Sequence, residues 1–158
     1  MNSRIHLSLC AWLVILTLSS CQKKDKLDLD APLIQLDASG TFPTTCTELQ
    51  RGKEYTFQFT FSDQVSLGSY SIDIHHNFDQ HSHSTETSSC TFDQKKQAQT
   101  PFLFIQAGEI SEGTTTYTAK VQVEIPENVD TGDYHLTVQV TDRAGWSSRK
   151  GLSVKIVR

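Results

Sequence analysis

The sequence predicts an all-β protein, an immunoglobulin-like β-sandwich of about seven strands in two antiparallel sheets. Three observations carry this. Apolar side chains recur at every second position in several separate runs, the period of a half-buried strand. Each run ends at a cluster of Gly, Asp, Asn or Pro, the residues that make turns. No stretch after residue 20 shows a convincing apolar period of 3.6, so amphipathic helices are not expected.

The elements follow in order. Arg4 precedes an apolar run over residues 7–18, followed by Leu18-Ser19-Ser20-Cys21. A short basic head, a brief apolar stretch and small residues before a cysteine read as a bacterial lipoprotein signal, residues 1–20. The run is too short to span a bilayer. Cys21 is then the lipidated first residue of the mature chain, and residues 21–31, polar and short, read as a tether. The sandwich is expected over 32–158. Leu33 with Ile34 or Leu36 supplies the first strand. Tyr55, Phe57, Phe59 and Phe61 alternate with polar residues and supply the second. Tyr70, Ile72 and Ile74 point inward in the third, and the alternation extends to His76. Phe102, Phe104 and Ile105 mark a short strand. Tyr117, Ala119, Val121, Val123 and Ile125 form a long one, stopped by Pro126. Tyr134, Leu136, Val138 and Val140 form the sixth inward face, and Leu152, Val154 and Ile156 close the chain. Residues 86–99 are polar and read as a sheet-to-sheet crossing or a mobile loop.

Charge and cysteine content narrow the function classes. The formal net charge is −4, with no Lys/Arg cluster, so nucleic acid is not an expected partner. The expected partners are the membrane, through the lipid, and a protein of the envelope. The expected address is the bacterial cell envelope, at the outer membrane, on a side the sequence leaves open. Of the four cysteines, Cys10 leaves with the signal and Cys21 carries lipid. Cys46 and Cys90 remain, and in an exported protein they suggest one disulfide. Two separate thiols are the bland alternative. A two-thiolate metal site is a further one, although the spacing is not that of a zinc knuckle.

The main chemical signal is histidine. His75, His76, His81 and His83 crowd into H-H-N-F-D-Q-H-S-H, with Asp73 and Asp79 interleaved. Neutral imidazoles ligate zinc and copper, and carboxylates complete or orient the set. Strand parity places His75 with Asp73 on the outward face and His76 on the inward one. His76 therefore reads as a strand-end residue with a structural hydrogen bond, or as a secondary ligand. His135, between Asp133 and Thr137, is on the outward face of the sixth strand. If the third and sixth strands pair antiparallel, His75 and His135 share one end of one sheet. His81 or His83 can then close a three-imidazole site from the loop. The same residues also read as an idle polar loop or a pH-sensitive patch.

Other polar residues have plainer expected roles. Asp63 and Asp142 lie at the opposite end and should each cap its own turn. Together they are a minor candidate for Ca²⁺, two carboxylates without the denser oxygen set such sites use. Asp133 reads as a turn residue and Trp146 as a packed loop anchor, with contact to a glycan or protein partner as the alternative. No Ser-His-Asp spacing, G-x-S-x-G or phosphate loop occurs, so an enzyme is not expected.

Two blocks, F-S-D-Q-V-S-L-G-S-Y-S-I-D-I-H-H-N-F-D-Q-H-S-H and I-P-E-N-V-D-T-G-D-Y-H-L-T-V-Q-V-T-D-R-A-G, resemble an uncharacterised immunoglobulin-like domain family of Bacteroidetes lipoproteins. The first block carries the family's D-I-H-H-N-F-D-x-H-x-H pattern. The resemblance covers most of the mature chain and implies a lipid-anchored sandwich at the envelope. It also implies that His75, His76, His81, His83 and His135 fall at the family's histidine positions. In that family a glycine commonly precedes H-x-H, where this chain has Gln80. The family has no agreed activity. The functional expectation is a lipoprotein that binds zinc or copper through its histidines, accessory to metal handling. A non-enzymatic adhesion or assembly scaffold is the alternative, with a glycan-binding accessory lipoprotein behind it.

Overall fold

The computed structural model describes residues 27–81 and 90–158. Cys21 and His83 lie outside the described residues. The chain forms eight strands: β1 Leu33–Gln35, β2 Glu48–Gln50, β3 Lys53–Ser62, β4 Leu67–His76, β5 Phe104–Glu109, β6 Thr116–Ile125, β7 Gly132–Asp142 and β8 Ser147–Val157. One sheet has the order β1-β3-β6 and the other β2-β8-β7-β4-β5. This is the expected immunoglobulin-like sandwich.

The core is what the alternation specified. Phe57, Phe59 and Phe61 from β3 face Ile72 and Ile74 from β4 and Leu136 and Val138 from β7, all inaccessible to solvent. Phe61 stacks on Tyr70 at 5.7 Å between ring centroids, and Tyr70 meets Tyr117 at 5.9 Å. Both contacts join a strand of one sheet to a strand of the other. Burial of these faces is the dominant stabilising term. On the solvent side of the smaller sheet, cross-strand pairs are polar. Thr60 and Thr118 share a hydrogen bond at 3.0 Å, and Thr56 donates to Gln122 at 2.7 Å.

Three expectations need correction. β2 is an additional strand, and it runs parallel to β8, with Leu49 opposite Ile156. The five-stranded sheet is therefore mixed at its edge. The short strand after Pro101 begins only at Phe104. Phe102 is buried ahead of it, whereas Ile105 is 68% exposed, because β5 is an edge strand whose outer face meets water. Finally, β4 and β5 are adjacent antiparallel neighbours, Ile72 opposite Gln106. The connection between them is an excursion within one sheet and not a crossing.

The described part of that excursion is pinned. Cys90 is bonded to Cys46. The Asp93 amide donates to Asp133 Oδ2 at 2.8 Å, and Lys96 N donates to the Phe78 carbonyl at 3.1 Å. Lys155 Nζ lies 2.7 Å from Asp93 and 3.5 Å from Asp133. The hydrogen bond to Asp93 is the main reason that the Lys155 ammonium holds its proton above the usual lysine range. Asp133 is thus a buried anchor within β7, not the turn residue its Gly132 neighbour suggested. Tyr134 does the same for the chain ahead of β5. Its hydroxyl donates to Asp130 O at 2.7 Å and accepts from Phe102 N at 3.1 Å. Burial pushes that hydroxyl up to about 12.

Candidate metal centres

The pairing of β4 with β7 carries the histidines. In this antiparallel ladder His75 stands directly opposite His135. Opposite residues in such a pair project to the same face, so two imidazoles meet at one end of the sheet. Their ring centroids are 5.5 Å apart. The chain then turns at Asn77 to Gln80, where the Gln80 amide donates to the Asn77 carbonyl at 3.1 Å. Gln80 adopts a φ of 57°, a left-handed conformation that glycine enters without steric cost. The turn folds His81 back over the pair, 5.7 Å from His75 and stacked on it, and 4.9 Å from His135.

Two carboxylates hold the rings. His75 Nδ1 lies 2.7 Å from Asp73 Oδ1, and His81 Nδ1 lies 2.6 Å from Asp79 Oδ1. Asp73 and Asp79 thus do what orienting carboxylates do beside metal-ligating histidines. The hydrogen bond from His81 holds the Asp79 carboxyl below the usual carboxylate range. His135 Nε2 lies 3.1 Å from the His81 carbonyl. His135 is on the outer face of the sheet, as expected, but it is only 2% exposed. The segment after β4 covers it.

The inward His76 is half-buried, with its ring 4.9 Å from Phe78. The hydrogen bond expected of it is not seen at Nδ1, which is buried and has no partner. It does not join the other three rings.

The other end of the same strands holds a second group. Leu67, at the start of β4, is opposite Asp142, at the end of β7. That is about 25 Å from His75, at roughly 3.3 Å of rise per residue. Asp63 and Asp142 cap their turns as expected. Asp63 Oδ1 accepts from the Val65 and Ser66 amides, each at 2.7 Å, and Asp142 Oδ1 accepts from Trp146 N at 2.9 Å. A third carboxylate joins them. Asp28, read from sequence as tether, is held where its carbonyl accepts from Trp146 Nε1 at 3.2 Å. One ligand atom each from Asp28, Asp63 and Asp142 lies within 4.8 Å of the others, an arrangement that could hold a metal ion. Among the described residues this is the group that meets that criterion. His75, His81 and His135 bring their rings together without bringing three ligand nitrogens within the same span. The only sequence trace of Asp28 was its place in L-D-L-D, which carries no information about residues far along the chain.

No curated protein matches the chain. A family described as a domain of unknown function (DUF4625) matches residues 19–157, nearly the whole sequence. The chain therefore belongs to the DUF4625 family.

Proposed function

We propose that this is a metal-binding envelope lipoprotein, anchored through lipid on Cys21, whose sandwich takes up zinc or copper at the histidine end. The reading is of a non-enzymatic binding protein, accessory to metal handling, that works with a protein partner in the envelope. One observation carries it: two Asp–His pairs, Asp73–His75 and Asp79–His81, with stacked rings beside a buried His135. A carboxylate on Nδ1 fixes the neutral tautomer, places the lone pair on Nε2 and raises its basicity. Three imidazoles make a suitable set for Zn²⁺ or Cu²⁺. His83, two residues beyond His81 in sequence, is a further ligand candidate. The Cys46–Cys90 disulfide supports an oxidising address, which accords with the lipoprotein signal.

Titration calorimetry of the protein with Zn²⁺ and Cu²⁺ at neutral pH tests this. One ion per chain is expected, copper the tighter by the usual affinity order. Affinity should fall as the medium is acidified below about pH 6, because imidazolium cannot coordinate. His75→Ala should abolish most of the affinity, and Asp73→Asn should weaken it about 10- to 100-fold by releasing the ring. His76→Ala should lower stability and leave binding intact. If neither ion saturates the protein more tightly than about 100 µM, some 5.5 kcal/mol, the sandwich is a scaffold and the histidines are idle.

The anchor has its own test. The mature protein should carry lipid on Cys21, seen in its intact mass, and Cys21→Ser should release it from the membrane fraction. Wild-type protein recovered soluble and unlipidated would refute the anchor.

A further inference from the structure

We propose that Asp28, Asp63 and Asp142 form a calcium site that fastens the N-terminal segment to the sandwich. It lies at the end of the fold away from the histidines and stands independently of them.

The geometry is that of a shared ion. Ca²⁺–oxygen distances of about 2.3–2.6 Å allow two ligands of one ion to be at most about 5 Å apart. The three ligand atoms here lie within 4.8 Å of one another. Without a cation the arrangement is costly, because three carboxylates repel at that range. Among the described residues no lysine or arginine pairs with any of them.

A second observation points to a ligand. Asp142 is 4% exposed, and its Oδ2 is buried with no hydrogen-bond partner. A buried carboxylate oxygen left unsatisfied is costly and rare in native folds. Its sister oxygen already caps the β7–β8 turn through Trp146 N. Asp63 is arranged alike, with Oδ1 capping the β3–β4 turn. Each turn aspartate therefore uses one oxygen for structure and has the other for an ion.

The site is also prearranged. β4 and β7 approach closely beside it: a Cβ on Gly68 would stand 2.9 Å from the Asp142 carbonyl oxygen. A side chain there would push the two turns apart. The third ligand is positioned by the same turn that carries Asp142, since Trp146 Nε1 donates to the Asp28 carbonyl. An all-oxygen donor set selects a hard cation. Ligands from two irregular segments and the end of β7 suit the flexible coordination of Ca²⁺ better than the octahedron Mg²⁺ demands.

The consequence is mechanical. With the lipid on Cys21, the seven-residue step to Asp28 spans at most about 25 Å. An ion that clamps Asp28 to the two turns seats this end of the sandwich close to its anchor. The histidine end then faces away.

The test uses the full-length protein in detergent, stripped with EDTA and titrated with CaCl₂. Calorimetry should show one Ca²⁺ per chain with a Kd of about 0.1–1 mM, the range of extracellular sites. In the lipidated chain, from which Trp12 has gone with residues 1–20, Trp146 fluorescence should change with the same midpoint. Asp28→Asn and Asp63→Asn should each weaken binding at least about tenfold, and His75→Ala should not change it. Asp142→Asn could unfold its turn, so Asp28→Asn, outside every strand, is the deciding variant. The proposal is overturned if no saturable binding appears below about 5 mM Ca²⁺, or if Asp28→Asn binds as wild type does. Displacement of Ca²⁺ by an equal concentration of Mg²⁺ would overturn the choice of ion.

Discussion

Phe59→Ala should destabilise the sandwich by about 3–5 kcal/mol, the range for deleting a fully buried aromatic side chain. Phe59 is central in β3, opposite Ala119 of β6, and has no solvent exposure. Its neighbours on the same face, Phe57 and Phe61, are equally buried. Two sheets packed face to face cannot collapse far into the gap, because each is held by its own hydrogen-bond ladder. The lost transfer free energy is therefore joined by a cavity term. Urea unfolding of wild type and variant measures the difference. Thr60→Ala, on the solvent side of the same strand, should cost no more than about 1 kcal/mol, the worth of its exposed hydrogen bond to Thr118. If Phe59→Ala were as mild as Thr60→Ala, the inward face of β3 would be misassigned.

That contrast between neighbouring residues is also why much of the fold was legible. Period-two alternation names a strand and its buried face at once, and it did so for β3, β4, β6, β7 and β8. The same parity, with the antiparallel pairing of β4 and β7, brings His75 and His135 together from the sequence alone. Parity says nothing of what covers a face. His135 is on the outer face that parity gives it, and it is buried there beneath the turn that carries His81. β2 escaped notice because its three residues hold one apolar side chain, Leu49, and its partner β8 is at the far end of the chain. β5 misled for a related reason. At the sheet edge its alternation is incomplete, and Phe102 is buried from outside the strand.

The acidic group shows the limit most plainly. Asp63 and Asp142 each announce a turn, and each does cap one. Whether two caps share an ion depends on a third ligand, and nothing local to L-D-L-D marks Asp28 as that ligand. The signal is tertiary: an indole N–H that reaches back across the end of the sandwich to the Asp28 carbonyl. The histidines are the converse case. Their density in sequence is conspicuous, and the structure gathers three of them, yet their nitrogens converge less closely than the carboxylates do.

Loss of the Cys46–Cys90 bridge should lower stability by about 2–4 kcal/mol. The bonded cysteines are 44 residues apart in sequence. In the chain-entropy model, closing such a loop restricts the unfolded chain by roughly 4 kcal/mol, an upper figure because denatured chains retain some structure. The bridge also acts locally. Cys46 sits just ahead of edge strand β2, where its amide donates to the Ser153 carbonyl at 2.7 Å. Cys90 is thereby held against the β8 edge, and the following residues reach Asp133 and Lys155 from there. The Lys155–Asp93 pair is exposed and contributes at most about 1 kcal/mol, and the Asp93 amide bond to the buried Asp133 adds about as much. They cannot replace the covalent tie. The experiment is urea unfolding of a Cys46→Ala/Cys90→Ala double variant beside the oxidised wild type, which avoids the metal-chelating thiols of a reductant. Cys90 is nine residues beyond His81, so freeing it also loosens the chain that leads away from the histidines. The double variant should therefore bind Zn²⁺ more weakly than wild type even at temperatures where it is fully folded, through the added entropy of ordering that chain. A stability loss under about 1 kcal/mol would mean that the Asp93–Asp133–Lys155 contacts hold the segment unaided, contrary to the small worth expected of exposed pairs.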